Sequence, residues 1–169
     1  MKKDNLSTLD QINLKNILEA IKEANKNSIT GYKDGGPFGA VIVKDGEIIA
    51  KAHNTVLASN DPTAHAEVNC IRKAGQVLGT YDLSGCILYT SAEPCPMCLS
   101  AIIWANIKTV YYANTKEDAA KINFRDDMIY DFIKSNNTDE TILKMINLEN
   151  TDAIETFRDF ANTHGKIIY

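Results

Sequence analysis

The sequence predicts an α/β protein, a three-layer α/β/α fold with a mixed central sheet and helices on both faces. Three observations predict it. A helix-period apolar pattern opens the chain, an Asp-Gly hairpin follows, and an almost wholly apolar β segment at residues 85–91 lies between two helix starts. At 169 residues, 44% hydrophobic and 24% charged, the chain has the length of one domain with a full core, so a single domain over 1–169 is expected.

In residues 10–26, Leu14, Ile17, Leu18 and Ile21 follow the i, i+3, i+4, i+7 spacing of one helical face and are expected to point inward. Asp34-Gly35-Gly36-Pro37-Phe38-Gly39 is turn chemistry. Residues 40–43 and 47–52 read as strands joined through Asp45-Gly46, a hairpin signal. Asn60-Asp61-Pro62 predicts a helix start with Asp61 as N-cap and Pro62 at its first position, continuing to Leu78 before Gly79 ends it. The apolar run 85–91 suits a central strand covered on both faces. Pro94 and Pro96 then forbid strand pairing and suit the start of a helix through Ile102 and Trp104. Residues 108–112 read as a strand. Residues 117–134 read as a helix or an irregular helix with Ile122, Phe124, Met128, Ile129, Phe132 and Ile133 inward, residues 141–148 as a strand, and residues 151–162 as an amphipathic helix through Ile154, Phe157 and Phe160.

Eighteen Lys and Arg against 22 Asp and Glu leave a net charge of −4, which opposes a polynucleotide partner, so no nucleic acid is expected. Met1-Lys2-Lys3-Asp4 leads into polar residues, and no run of about 18 apolar residues occurs, so a cytoplasmic protein without a membrane partner is expected. Of the four cysteines, Cys70 and Cys86 read as core residues, whereas Cys95-Pro96-Met97-Cys98 is a C-x-x-C pair at a helix start.

His65-Ala66-Glu67 at one helix start and Cys95 and Cys98 at another carry the chemistry. One imidazole and two thiolates suit zinc, and three protein ligands leave the fourth tetrahedral position to water, the pattern of a catalytic rather than a structural site. Zinc lowers the pKa of its water to about 7, and Glu67 is the carboxylate placed to carry protons. Two residues apart on a regular helix, His65 and Glu67 point to opposite sides. They converge only if the metal lies off the helix end.

H-x-E followed by P-C-x-x-C resembles the signature of the cytidine deaminase-like zinc deaminases over residues 10–134. Within that superfamily Gly35-Gly36-Pro37-Phe38-Gly39-Ala40-Val41-Ile42-Val43, Asn60-Asp61-Pro62-Thr63-Ala64-His65-Ala66-Glu67, Asp118-Ala119-Ala120 and Phe160-Ala161-Asn162 resemble the bacterial guanine deaminases. The resemblance implies the cytidine deaminase-like fold, one Zn2+ per chain on His65, Cys95 and Cys98, and Glu67 as the proton shuttle. It implies a small-molecule purine base as substrate, guanine being hydrolysed at C2 to xanthine. Asn54 would bind the base and Asp126 would accept from its amino edge or assist proton transfer, with the neighbouring Asp127 leaving the register open. Phe38 would wall the base. The resemblance further implies a homodimer and a C-terminal helix and tail, residues 150–169 with Tyr169 at the end, that close an active site, which is the partner's if the dimer is swapped and otherwise the chain's own. A tRNA adenosine deaminase shares the same frame, cytosine and aminotriazine deaminases remain alternatives, and a non-catalytic zinc module would want a fourth ligand from His53 or Cys70.

Overall fold

In the computed structural model, which describes residues 7–149 and 151–168, the chain divides into two compact units, Met1–Tyr130 and Asp131–Tyr169. The first unit runs α1 (Thr8–Ile29), β1 (Gly39–Lys44), β2 (Glu47–His53), α2 (Val56–Ser59), α3 (Ala66–Leu78), β3 (Ile87–Ala92), α4 (Pro96–Trp104), β4 (Thr109–Asn114) and α5 (Lys116–Lys121); α6 (Asp127–Lys134) crosses the boundary and α7 (Ala153–Asn162) lies in the second unit.

The four strands form one mixed sheet in the order β2-β1-β3-β4. β1 is antiparallel to both β2 and β3, and β3 is parallel to β4. The hairpin is tight because Asp45 and Gly46 both take positive φ, as a two-residue turn matched to strand twist requires. Along β1 alternate side chains serve opposite faces: Ala40 and Ile42 join Ala66, Cys70, Ala74, Leu88 and Ile102, while Val41 and Val43 join Ala20 and Tyr89. Helices therefore cover both faces of the sheet, as expected, and Cys70 and Cys86 are core residues.

α1 begins with a capping box, Ser7 accepting from the Asp10 N–H and the Asp10 carboxylate accepting from Ser7. Its buried face is not the leucine stripe. Leu14 and Leu18 are exposed, while Asn16, Ala20, Glu23, Ala24 and Asn27 turn inward. Steric contact decides this: a Cβ at Gly39 would lie 2.3 Å from the Ala20 carbonyl oxygen and 2.3 Å from the Ala24 nitrogen, so the helix backbone rests directly on β1 and only small residues fit between them.

Asp61 and Pro62 do not open a helix. They form a turn in which the Asp61 carboxylate accepts from the Thr63 N–H at 2.8 Å and hydroxyl at 2.6 Å, and α3 starts later with His65 in the N-cap position. Gly79 ends it with φ +67°, as expected. Of the two readings of 117–134, the irregular one holds: α5 and α6 are separated at Asn123, whose φ of +67° leaves the helical region. Ile122, Phe124, Met128 and Ile133 are exposed rather than inward, and Phe132 alone of that set is buried. Residues 141–148 form no strand, because the second unit offers no neighbouring strand to take their backbone hydrogen bonds. α7 forms as expected, yet Ile154, Phe157 and Phe160 remain exposed. Among the described residues, no helix is long and apolar enough to cross a membrane.

Candidate active site

The site gathers at the ends of β1 and β3, where two helices begin. His65 caps α3 and Cys95 caps α4, each in extended backbone with a φ near −65°. An N-cap side chain leaves the helix end instead of joining a face, so the imidazole of His65 swings off α3 while Glu67, one turn position later, reaches the same space. That resolves the apparent conflict between residues two apart. Pro96 at the first position of α4 accepts the loss of an N–H that has no helical partner there.

The His65 Nδ1 lies 3.6 Å from the Cys95 Sγ and 3.5 Å from the Cys98 Sγ, and one ligand atom from each of the three residues falls within 4.8 Å of the others. Ligands about 2.0–2.3 Å from a tetrahedral zinc are about 3.5–3.8 Å apart, so this donor set fits the ion without rearrangement. The Cys98 side chain first, then His65 and the Cys98 backbone, hold the Cys95 thiol down to about 4, which favours its thiolate form. Contact with that thiolate and burial push Cys98 up, and the hydrogen bond to Cys95 raises His65. Among the described residues this is the one His/Cys/Asp/Glu cluster with metal-ligand spacing. Cys70 stands apart as a thiol against the Ala40 carbonyl, pushed up to about 12 by burial.

Glu67 is buried at 5% exposure. Its Oε1 accepts the Thr90 hydroxyl at 3.0 Å, and its Oε2 lies 3.5 Å from the Cys98 Sγ. Burial raises its carboxyl above the usual range, which suits a group that must both take and give a proton.

A cavity of about 290 Å³ opens over these groups. His65, Glu67, Cys95, Phe38 and Asp126 line it, and Cys98 lies fully buried behind it. The acid at the wall is Asp126: Asp127 turns away into a two-point pair with Arg125, at 3.0 and 2.6 Å. Burial, then the nearby Cys95, raises the Asp126 carboxyl. The Phe38 ring meets Phe124 edge-on, centroids 4.9 Å apart at 85°, and the two form an aromatic wall. Asn54 is buried but not on the lining. Its Oδ1 accepts the Val56 N–H at 3.1 Å, which fixes the amide's orientation and leaves its NH2 as the donor. Gly35 is glycine because a Cβ there would come within 2.1 Å of that Oδ1. Tyr169 lies outside the described residues.

Sequence reasoning missed Thr90, Glu93, Lys116 and Phe124. Thr90 and Glu93 flank the strand end before Pro94-Cys95, and that position was the available signal. Glu93 accepts the Lys116 N–H at 3.2 Å and so ties the start of α5 to the metal segment. Phe124 carried no signal, since an apolar residue in a helical pattern reads as core.

Residues 12–114 match the family model for the cytidine and deoxycytidylate deaminase zinc-binding region. The chain is 55% identical over 130 residues to guanine deaminase of Bacillus subtilis (strain 168), spanning 76% of this chain and 83% of that protein. It is 51% identical over 94 residues to a tRNA-specific adenosine deaminase of Aquifex aeolicus (strain VF5), spanning 55% of this chain and 62% of that one. The X-ray structure of guanine deaminase from Bacillus subtilis superposes with a TM-score of 0.84 at 46% identity, covering 92% of this chain and 98% of that one.

Proposed function

Since the chain belongs to the cytidine and deoxycytidylate deaminase zinc-binding family, we propose that it catalyses the zinc-dependent hydrolysis of guanine to xanthine and ammonia. The observation that carries this reading is Asp126, whose carboxyl lines the same cavity as Glu67, Glu93 and the metal-site residues His65 and Cys95. The similarity to guanine deaminase over 83% of that protein's length supports it, where the adenosine deaminase similarity stops at 62%.

Bound zinc supplies Lewis acidity that makes water a nucleophile at neutral pH. His65, Cys95 and Cys98 would hold it, and with only three protein ligands one coordination position stays open to the reaction. Glu67 does the proton work. The Thr90 hydroxyl fixes Oε1, so Oε2, on the cysteine side, takes one proton of the attacking water and passes it to a ring nitrogen; it then takes the proton of the new C2 hydroxyl and gives it to the amine, which leaves as ammonia as the C2 carbonyl forms. Phe38 and Phe124 exclude water along one side of the flat ring. Asp126 accepts from the amino edge, and the Asn54 NH2 donates to a purine acceptor.

The functional unit we propose is a cytoplasmic homodimer. Phe157 is 74% exposed and Ile168 72% in the second unit, and Trp104 71% on α4 in the first, large apolar side chains that a partner would cover. A second copy of the chain supplies one, with the residues beyond 150 closing the partner's cavity.

Ammonia release from guanine, cytosine, adenine and a tRNA anticodon loop tests the substrate. Guanine is expected to be turned over far above the rest, because a site built on paired polar groups rejects analogues that leave them unpaired, by up to about 10⁴-fold or more. A preference for the tRNA loop adenosine would overturn the assignment.

A further inference from the structure

We infer that Asn27, a residue of α1 outside the cavity, is a positioning residue for base recognition, an inference that rests on Asn54 as the base donor. Asn27 is fully buried at 0% exposure. Its Nδ2 spends both protons on main-chain carbonyls from two separate loops, Gly36 at 2.7 Å and Asn54 at 2.9 Å. The Asn54 N–H in turn donates to the Phe38 carbonyl at 3.0 Å, and the Phe38 N–H donates to the same Gly36 carbonyl at 2.8 Å. One amide therefore closes a ring of hydrogen bonds that locks the segment carrying Phe38, which lines the cavity, to the segment carrying Asn54.

The other half of the amide argues that this pair of donations is what the side chain is for. The Asn27 Oδ1 is buried and accepts no hydrogen bond from any described residue, and a buried acceptor without a partner lowers stability. An apolar residue at this position would remove that unpaired acceptor but would take both protons from the Gly36 and Asn54 carbonyls. The NH2 group has a specific task that outweighs the unpaired acceptor: two carbonyls converge on one point, and few side chains present two protons there. Gly35, pressed against the Asn54 side chain with no room for a Cβ, completes the clamp from the loop side.

A residue that acts only on stability changes the folded fraction and leaves the Michaelis constant alone. A residue that places the base-binding groups changes KM, because displacing a binding group by about 1 Å costs up to about 100-fold. The test measures kcat, KM, zinc content and thermal midpoint for Asn27→Ala in the full-length zinc-loaded enzyme, alone and combined with Asn54→Ala. It uses whichever base the parent protein deaminates fastest, so that a wrong substrate assignment shows in the parent and leaves the clamp still measured. The expected result is a KM raised about tenfold or more, with zinc content unchanged and kcat per zinc within about threefold. On the Asn54→Ala background the same substitution is expected to raise KM by less than about threefold, since the group it places is gone. Where Asn27→Ala does not fold, Asn27→Ser, which keeps one donor, is read the same way and is expected to raise KM less. An unchanged KM, or an equal rise with and without Asn54, overturns the inference.

Discussion

Glu67 and Asp126 are two carboxyls facing one cavity from different surroundings. Glu67 is sealed against Thr90 and Cys98 with its proton affinity raised by burial, while Asp126 sits half-buried on the cavity lining. Replacing Glu67 by Gln keeps the hydrogen bond from Thr90 and removes the proton carrier, so turnover should fall by about 10²- to 10⁴-fold or more while metal analysis still finds one zinc per chain. Wild-type rates in that variant would take Glu67 out of the mechanism. Asp126→Asn should depress guanine turnover with zinc retained, whereas Asp127→Asn, which loses only an exposed pair with Arg125, should leave the kinetics nearly as they were; the reverse order would mean the wrong acid has been chosen. His65, Glu67, Cys95 and Cys98 were legible in the sequence because few residue types bind a borderline metal or carry its protons. Phe124 and Thr90 were not, because an aromatic or a hydroxyl at those positions has many ordinary uses. Asn27 was illegible for a further reason: its partners are main-chain carbonyls, which leave no trace in residue type.

At the scale of elements, α1 shows how a correct period can carry a wrong face. The 3.6-residue spacing of Leu14, Ile17, Leu18 and Ile21 identified the helix, and Ile17 does pack against the core, but the sheet selected the side with Ala20 and Ala24 and left both leucines exposed, since backbone contact at Gly39 admits no larger residue. Gly39→Ala should therefore cost about 1–3 kcal/mol by overpacking, read as a lowered denaturation midpoint; an unchanged midpoint would show that the helix can retreat freely. The same helix carries a charge cluster. Hydrogen bonds from Lys22 and then Lys51 hold the Glu19 carboxyl down to about 2 from an ordinary 4.5. A depressed folded-state value adds stability that is complete above about 4.5 and is lost as the pH falls toward about 2. Glu19→Gln should thus melt earlier than the parent at pH 7, with the gap closing between pH 4.5 and pH 2; a gap of constant size would exclude this ion cluster as its source. The start of α3 teaches a related lesson. Asp61-Pro62 carries the composition of a helix start, yet Asp61 bonds to Thr63 instead, and the helix begins at the metal ligand. Turn chemistry and capping chemistry use the same residues, so composition could not separate them.

At the scale of the whole molecule, the dimer we propose has each tail closing the partner's cavity, and the rival arrangement has each tail over its own. The apolar residues left exposed on α4 and beyond residue 140 argue for a partner of the same chain, and two arrangements satisfy that: each tail folds over its own cavity, or the two tails exchange. Activity alone does not separate them, because deleting residues 166–169 is expected to weaken turnover in either case; unchanged kinetics would refute the lid altogether. Mixed dimers do. One subunit carries Glu67→Gln with its tail intact, and the other keeps Glu67 but lacks residues 166–169; each alone is nearly inactive. If the tails exchange, the intact tail of the first subunit closes over the competent Glu67 of the second, and one of the two cavities in a mixed dimer works. With random pairing on co-expression half the dimers are mixed, so recovery should approach about a quarter of the parent activity per cavity, with zinc content unchanged. If each tail serves its own subunit, no cavity has both its proton carrier and its lid, and the co-expressed sample should be no more active than the two variants measured apart. That second result would reject exchange while leaving the chemistry at Glu67 intact.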